Sequence, residues 1–495
     1  MQNLYSNLDK NIAEIKNTFK DAGDIVFREF YAGSRRLFMV YADNVVHGDS
    51  VNQNILTNLM LRGGEETSTL AFQLKSIAVG EVAQVTTFEQ VYDAVLLGDT
   101  VVFSENDNVA VQISTKGWPT RGIPAVQTEV TLLGPKDAFT EQGSTNIVLV
   151  RRRIRDTRLK VKRMKIGSRS KTDVAVMYMQ DIVRDEILEE TLKKLSEIDA
   201  DAIIDSGYLQ QFIEESFLSP FPQLQLTERP DKTASAIYEG RIAIIVDNSP
   251  FVILVPATLN VFFQASDDYY QRWEIMSFLR LMRFVGAAAA ATLPGLYIAL
   301  VVFHPNLIPT SLALKIAGGR ANVPFPTIVE VLIMELAFEL LREAGLRLPS
   351  PASSTIGIVG GIVIGQAAVD AGIVGPMVVI IAALTGISSF AIPNVELVNS
   401  VRLIKYMLIL FCSCFGLVGF WLGVLLILSH LSALSSYGIP YLFPFCSGSV
   451  NNYSDLKDSL IRVPLIFMKN RPIFAKKDST VRLNRKRGEN NGSKK

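Results

Sequence analysis

Cysteine and histidine are scarce in this chain, three of each in 495 residues, and the shortage removes whole classes of chemistry. Cys412, Cys414 and Cys446 are too few and too late in the chain for a disulfide framework. Cys412 and Cys414 stand as C-x-C inside an apolar run and read as small packing residues. His47, His304 and His430 have no Cys or His partner at metal-ligand spacing, so no metal site is expected. The chain also lacks a Walker A loop, a G-x-G-x-x-G after a strand, a G-x-S-x-G and an H-E-x-x-H. An enzyme is therefore the weakest reading, and no catalytic residue or cofactor is assigned. No charged n-region with an apolar core and cleavage site opens the chain, so a cleaved signal peptide is not expected and the N-terminal region should stay in the cytoplasm.

Charge is balanced overall, 49 basic against 48 acidic residues, but unevenly distributed. Residues 1–283 are mixed like a soluble protein, 284–430 are largely apolar, and the end is basic. The expected fold is a two-lobed cytoplasmic N-terminal region of α+β or α/β type, followed by an α-helical polytopic membrane domain. The boundaries read as lobe 1 at 1–155, lobe 2 at 156–266, a membrane domain at 267–447 with an interfacial helix at 267–283, and a basic cytoplasmic tail at 448–495.

The two lobes are inferred from a repeat. Ile12, Ile15 and Phe19 have helical spacing, and strands follow at 25–30 and 37–46. Val51, Ile55, Leu59 and Met60 mark a helix. Thr87 with Gln90 reads as a capping box, Gly98 as that helix's stop, and 100–113 as a hairpin turning at Asn106 to Asn108. A similar series recurs. Residues 174–183 resemble 37–46, a helix runs through Ile187, Leu188, Leu192 and Leu195, and a short helix ends at Gly240 before the hairpin 241–255. Tyr41 to Gly98 is 98 − 41 = 57 positions, and Tyr178 to Gly240 is 240 − 178 = 62. Both tyrosines read as sheet residues. Between the lobes, 151–165 carries nine basic residues against Asp156. Without interleaved aromatics for stacking it reads as a solvated strand edge, or a contact with acidic protein or lipid, ahead of a nucleic-acid site.

In the segment 267–283, Tyr269, Tyr270 and Trp273 suit a membrane interface, and Arg272, Arg280 and Arg283 favour its cytoplasmic side. It should lie along the surface. Residues 284–303 carry no charge over 20 positions, enough to span, with Pro294 as a kink point. Gly357, Gly361 and Gly365 recur every fourth residue, an association surface within or between subunits. Gln366 and Asp370 are polar positions within the apolar region, Asp370 in a tight turn or a broken helix. Residues 406–429 make the clearest span, preceded by Arg402 and Lys405. Residues 469–495 hold ten basic and two acidic residues and should stay cytoplasmic or lie on anionic lipid. With both ends inside, crossings are even in number. Five segments are obvious, so either one is re-entrant or 431–445 returns.

The stretch 324–351 organises this region. Pro324 and Pro326 can open a helix, Gly345 and Pro349 can close it, and Glu330, Glu335, Glu339 and Glu343 interrupt its apolar residues. At about 100° per residue, Glu335, Glu339, Arg342 and Glu343 share a face about 100° wide, while Glu330 points elsewhere. A charge at the bilayer centre costs about 2.5 to 3.5 kcal/mol, so these carboxylates must face water, protein or opposite charge. Two readings remain open. One is an interfacial helix with solvated carboxylates or pairs to Arg342 and Arg347. The other is a pore or gate helix, which needs symmetric copies to build a carboxylate ring.

The order of these features resembles the GerA-type spore germination proteins, specifically the A subunits of germinant receptors. The resemblance rests on DIVFREF (24–30), PFPQLQLTERPD (220–231), EGRIAIIVDNSPFVILVP (239–256), FHPNLIPTSLA (303–313), VPFPTIVEVLIMELAFELLREAGLRLP (323–349) and IVGGIVIGQAAVDAGIV (358–374). It spreads over about residues 10–470. The resemblance implies a subunit in the spore inner membrane, assembled with a polytopic B subunit and a lipoprotein C subunit. It further implies that B is the main site for the nutrient and that A oligomerises and passes ions. No nucleic-acid partner is expected, since the basic run 151–165 lacks aromatics for stacking. Members often carry a long Ser/Lys/Gln-rich leader, and here the folded pattern follows Met1 almost at once. A paralogous branch acting with the dipicolinate-release machinery, a non-conducting scaffold and a secondary transporter are the competing expectations.

Overall fold

The computed structural model describes residues 2–43, 46, 55–61, 82–115, 123–347, 365–446 and 456–482. The chain divides into two compact units. One holds 1–215, 224–257 and 465–495, and the other holds 216–223 and 258–464.

Two lobes of one design make up the first unit. In lobe 1, α1 (Leu8–Thr18) leads into the antiparallel pair β1 (Ile25–Ala32) and β2 (Arg35–Ala42). Then come β3 (Val82–Val85), α2 (Phe88–Leu96), β4 (Thr100–Ser104) and β5 (Ala110–Ile113). The sheet order is β1-β2-β4-β5-β3. Alternation puts Phe38, Val40, Val101 and Phe103 against α1 and α2, and Leu37, Met39, Val102 and Val111 against Ile55, Leu56 and Leu59. The Thr87/Gln90 capping box forms as the sequence predicts.

Lobe 2 repeats the plan with α3 (Gly143–Arg151), β6 (Leu159–Ile166), β7 (Thr172–Met179), α4 (Asp185–Ser196), α5 (Ser206–Ile213), β8 (Gln225–Thr227), α6 (Pro230–Tyr238), β9 (Ile242–Val246) and β10 (Val252–Val255). Its order, β6-β7-β9-β10-β8, is the first sheet's with five added to each strand number. The repeat extends to backbone angles. Gly98 and Gly240 have φ of 90° and 95°, and eight residues later Asn106 and Asn248 have φ of 61° and 68°. Both lobes thus stop a helix and turn a hairpin with the residue types that tolerate a left-handed backbone.

Three details differ from expectation. α3 packs with α6 on the second sheet, so the second lobe's core begins before the boundary read at 155. The basic run 151–165 is not uniformly solvated. β6 is an edge strand, but Arg151 is 1% exposed and Lys160 is buried, its Nζ donating to the Thr18 carbonyl at 2.9 Å. Desolvation also pushes the Lys160 pKa down. Finally, part of the basic end folds onto lobe 2. Lys476 donates its N–H to the Ile182 carbonyl at 2.8 Å, and Phe474 and Ala475 are buried against Gly240.

The second unit is helical, with α7 (Trp273–Ile298), α8 (Thr310–Gly319), α9 (Thr327–Arg347), α10 (Pro376–Ser389) and α11 (Val395–Ala433). The segment 267–283 does not form a helix of its own. A turn at Asp267–Tyr270 precedes α7, which runs unbroken through the apolar stretch because no glycine or proline interrupts 273–285. Pro294 lies inside α7, and the helix widens to a π-turn at Ala299–Phe303. Arg280, expected at a surface, is fully buried. It pairs with Asp268 at 2.8 Å and with Asp458 at 2.8 Å, while Arg283 reaches Asp268 from the next turn.

α11 is a hairpin of two helical arms. Gly416 has φ 57° and ψ −134°, a region open essentially to glycine, and a Cβ there would meet Phe303 at 2.8 Å. In a straight helix Ser400 and His430 would be about 45 Å apart. Instead they bond to consecutive residues, Ser400 Oγ donating to the Pro220 carbonyl and His430 Nε2 lying 2.9 Å from Ser219 Oγ. Gly419 and Gly423 allow the fold-back by taking Phe411 and Leu408 against the backbone. The segment read as the clearest single span therefore reverses within itself. Of the stretch 431–445, the first three residues finish α11 and the rest forms a small hairpin and turns.

Candidate functional site

The charged helix α9 carries the site. Its partners come from three places in the second unit: the end of α8, both ends of α10, and the first arm of α11. Glu330 points away from the other carboxylates, as its angle predicts. It is fully buried, pairs with Arg320 Nε at 2.8 Å and accepts the Gly375 N–H at 2.8 Å.

Glu335 and Glu339 lie one turn apart and meet a matching pair of cations. Lys405 Nζ lies 2.5 Å from Glu335, both side chains almost wholly buried, and Arg402 pairs with Glu339 at half-buried positions. The spacings fit because i,i+4 on one helix opposes i,i+3 on an antiparallel neighbour. Arg342 turns the other way, donating to Ser389 Oγ at 2.7 Å and lying over the Phe390 ring at 5.4 Å. Glu343 is exposed. Burial of charge is thus offset pair by pair within one chain, which is the condition for keeping carboxylates among apolar helices.

Of the remaining predicted positions, Gly357 and Gly361 lie outside the described residues. Gly365 is buried, and a Cβ there would meet Val379 at 3.3 Å, so it packs within the chain against α10. Gln366 and Asp370 are exposed on the helix 365–370, which stops at a turn where Gly372 has φ 66°. Arg402 and Lys405 read in the sequence as charges flanking a span. Their role as counter-ions was signalled only by their spacing. Arg320 gave no signal at all. Among the described residues no group of three or more His, Cys, Asp or Glu is placed to hold a metal.

α7 with its π-turn, and α11, are long and apolar enough to cross a membrane by length and composition. Their outward residues are large and exposed, including Phe278, Phe415 and Trp421.

Comparison with known proteins gives a consistent picture. A family model described as Bacillus/Clostridium GerA spore germination protein matches residues 13–474. Spore germination protein KA of Bacillus subtilis (strain 168) is 39% identical over 480 residues, covering 96% of this chain and 88% of that protein. Spore germination protein GerLA of Bacillus cereus is 37% identical over 484 residues, covering 97% and 98%. A Bacillus subtilis (strain 168) protein named uncharacterized membrane protein YfkQ is 38% identical over 469 residues, covering 94% and 91%. Among solved structures, the N-terminal domain of the A subunit of the Bacillus megaterium spore germinant receptor GerK3 aligns at a TM-score of 0.42 and 32% identity, covering 52% of this chain and 98% of that one.

Proposed function

The chain belongs to the GerA family of spore germination proteins, and from that premise we propose that it is the A subunit of a spore germinant receptor in the spore inner membrane. In this reading it works with B and C subunits, with the nutrient bound mainly by B. Several copies of A form an ion-conducting path, and both chain ends lie on the cytoplasmic side. The hairpin of α11 supports an even number of crossings, because counting its two arms separately turns five apolar segments into six.

The observation that carries the proposal is the row of carboxylates on α9 with its graded burial. Glu335 is sealed by Lys405, Glu339 is half-buried beside Arg402, and Glu343 is exposed. In symmetric copies the exposed end would form a ring of carboxylates that selects cations, and the sealed end would hold the helices in register. The test is conductance of the receptor reconstituted with its partner subunits and challenged with a germination-active nutrient mixture. Replacing Glu335, Glu339 and Glu343 together by Gln should alter cation selectivity and current. Unchanged selectivity and size would remove these residues from the path.

The same ion pairs favour one second reading, a non-conducting scaffold. Glu330, Glu335 and Glu339 each have a cation within their own chain, which a purely structural role explains equally well. No ion flux in liposomes containing all partners would select that reading.

A further inference from the structure

The residues T-E-R-P-D at 227–231 hold a loop. Glu228 accepts the backbone N–H groups of Gln127 at 2.8 Å and Glu129 at 3.0 Å, with the Thr128 hydroxyl at 2.8 Å. Arg229, 1% exposed, donates to the Glu129 carbonyl, Thr131 Oγ and the Pro135 carbonyl, all between 2.9 and 3.0 Å. Lys232 pairs with Glu129. Yet the tip of this pinned loop is apolar and faces outward: Val130 is 72% exposed, Leu132 80% and Leu133 55%. Such a loop has its ordering cost met in advance, which is the property of a docking element. At its base a cleft of about 670 Å³ is lined by Lys136, Arg152, Arg153 and Arg155, with Asp137 the acid among the lining residues, a balance of 4 − 1 = +3.

Lobe 2 carries a counterpart. Ile204, Tyr208 and Phe212 recur every fourth residue on and just before α5, and all are at least half exposed, while Leu209 and Ile213 turn into the lobe. Residues 185–215 around this stripe contain ten acidic and two basic residues, and with Arg169, Arg184 and Lys476 paired to Asp201, Glu186 and Asp185 the balance is 5 − 10 = −5. α3 and α6 supply the core on one face of the sheet; Leu209 and Ile213 of α5 are buried but stand outside that core, so α5 packs on β10 from the other face. The basic apolar patch and the acidic apolar patch therefore belong to opposite faces of one lobe.

We propose that the pinned loop 127–135 of one copy docks on the α5 stripe of a second copy of this chain, head to tail. Opposite charge selects the pairing and steers it, and the apolar residues supply the contact. One lobe cannot satisfy itself, because its two patches lie on opposite faces. The contact is therefore heterologous, and its repetition closes a ring if the rotation per copy permits. The inference rests on the reading above that several copies assemble, and extends it by naming surfaces in the soluble unit.

The experiment uses the full chain in membranes, with Cys412→Ala, Cys414→Ser and Cys446→Ser as background. Two differently tagged forms, one with Leu132→Cys and one with Phe212→Cys, are co-expressed and oxidised. A 132–212 heterodimer is expected, weakening at high salt, and no dimer from either form alone. A chain carrying both substitutions should give a ladder. The proposal is overturned if Leu132→Cys dimerises by itself, if the band needs another subunit, or if no band forms and Tyr208→Cys in place of Phe212→Cys also yields none. Loss of the band with nutrient-evoked conductance intact would sink this docking surface and leave the receptor reading standing.

Discussion

Arg151 grips both carboxylate oxygens of Asp24, each at 2.8 Å, across 127 residues of sequence and with both side chains removed from solvent. The pair fastens lobe 1 to lobe 2, beside the Gly23 N–H donating to the Val161 carbonyl at 2.9 Å. Removing one partner of a buried pair leaves an uncompensated charge and costs about 3–5 kcal/mol. Asp24→Asn should therefore unfold the first unit far more readily, and Asp24→Leu with Arg151→Leu should lose less than Asp24→Asn alone. Denaturant unfolding of the full chain in detergent, followed by circular dichroism, distinguishes the two. Equal losses would mean that the charge is not what matters.

Asp205 caps α5, accepting the Gly207 N–H at 3.0 Å and the Ser249 hydroxyl at 2.5 Å. Burial opposes its ionisation, but the Ser249 hydroxyl and the Gly207 and Ser206 N–H groups outweigh burial and hold its pKa below the ordinary 3.8. A lowered carboxyl pKa contributes stability that is complete above the unfolded value and fades as pH falls through the folded one. Asp205→Ala should cost about 1 kcal/mol at pH 7. The gap between the variant and the natural chain should narrow below about pH 4. Urea midpoints at pH 7 and at pH 3 measure it, and a gap of constant size would rule out the ionised form as its source.

Glu335 and Glu343 share a face but not a fate. Glu335→Gln strands Lys405 in a buried site and should destabilise the second unit by about 3–5 kcal/mol. Glu343→Gln, at an exposed position, should stay within about 0.5 kcal/mol. Thermal unfolding in detergent reads both. A Glu335→Gln variant as robust as Glu343→Gln would show that Lys405 finds another partner.

Gly416→Ala meets two obstacles at once. Its backbone angles cost a side-chain-bearing residue about 1–3 kcal/mol, and its Cβ would collide with Phe303. The hairpin should open. Cysteines placed at Leu408→Cys and Gly423→Cys should cross-link readily in the otherwise natural hairpin and poorly once Ala occupies 416. Undiminished cross-linking would mean that the reversal does not depend on this glycine.

Local signals were legible wherever one residue type answers one backbone need. Thr87 and Gln90 announced a capping box, Gly98 and Gly240 announced helix stops, and the two hairpins were visible as apolar runs flanking polar turns. Alternating and helical periodicity likewise gave both lobes, since period and burial are properties of short windows. Gly416 was hidden by its surroundings. Inside an unbroken apolar run, one glycine among several carries no mark of a reversal, and only its φ and ψ distinguish it from Gly419 and Gly423.

The sequence alone determined the repeated lobes, the apolar bundle and the acidic face of α9, because each follows from spacing along one stretch of chain. Which cation answers which carboxylate was decided only by the tertiary structure. Glu335 and Lys405 are 70 residues apart, and Asp24 and Arg151 127. No local pattern encodes such distances. A buried charge is tolerable only where folding brings its partner within hydrogen-bond reach, and that is a property of packing, not of any stretch of sequence.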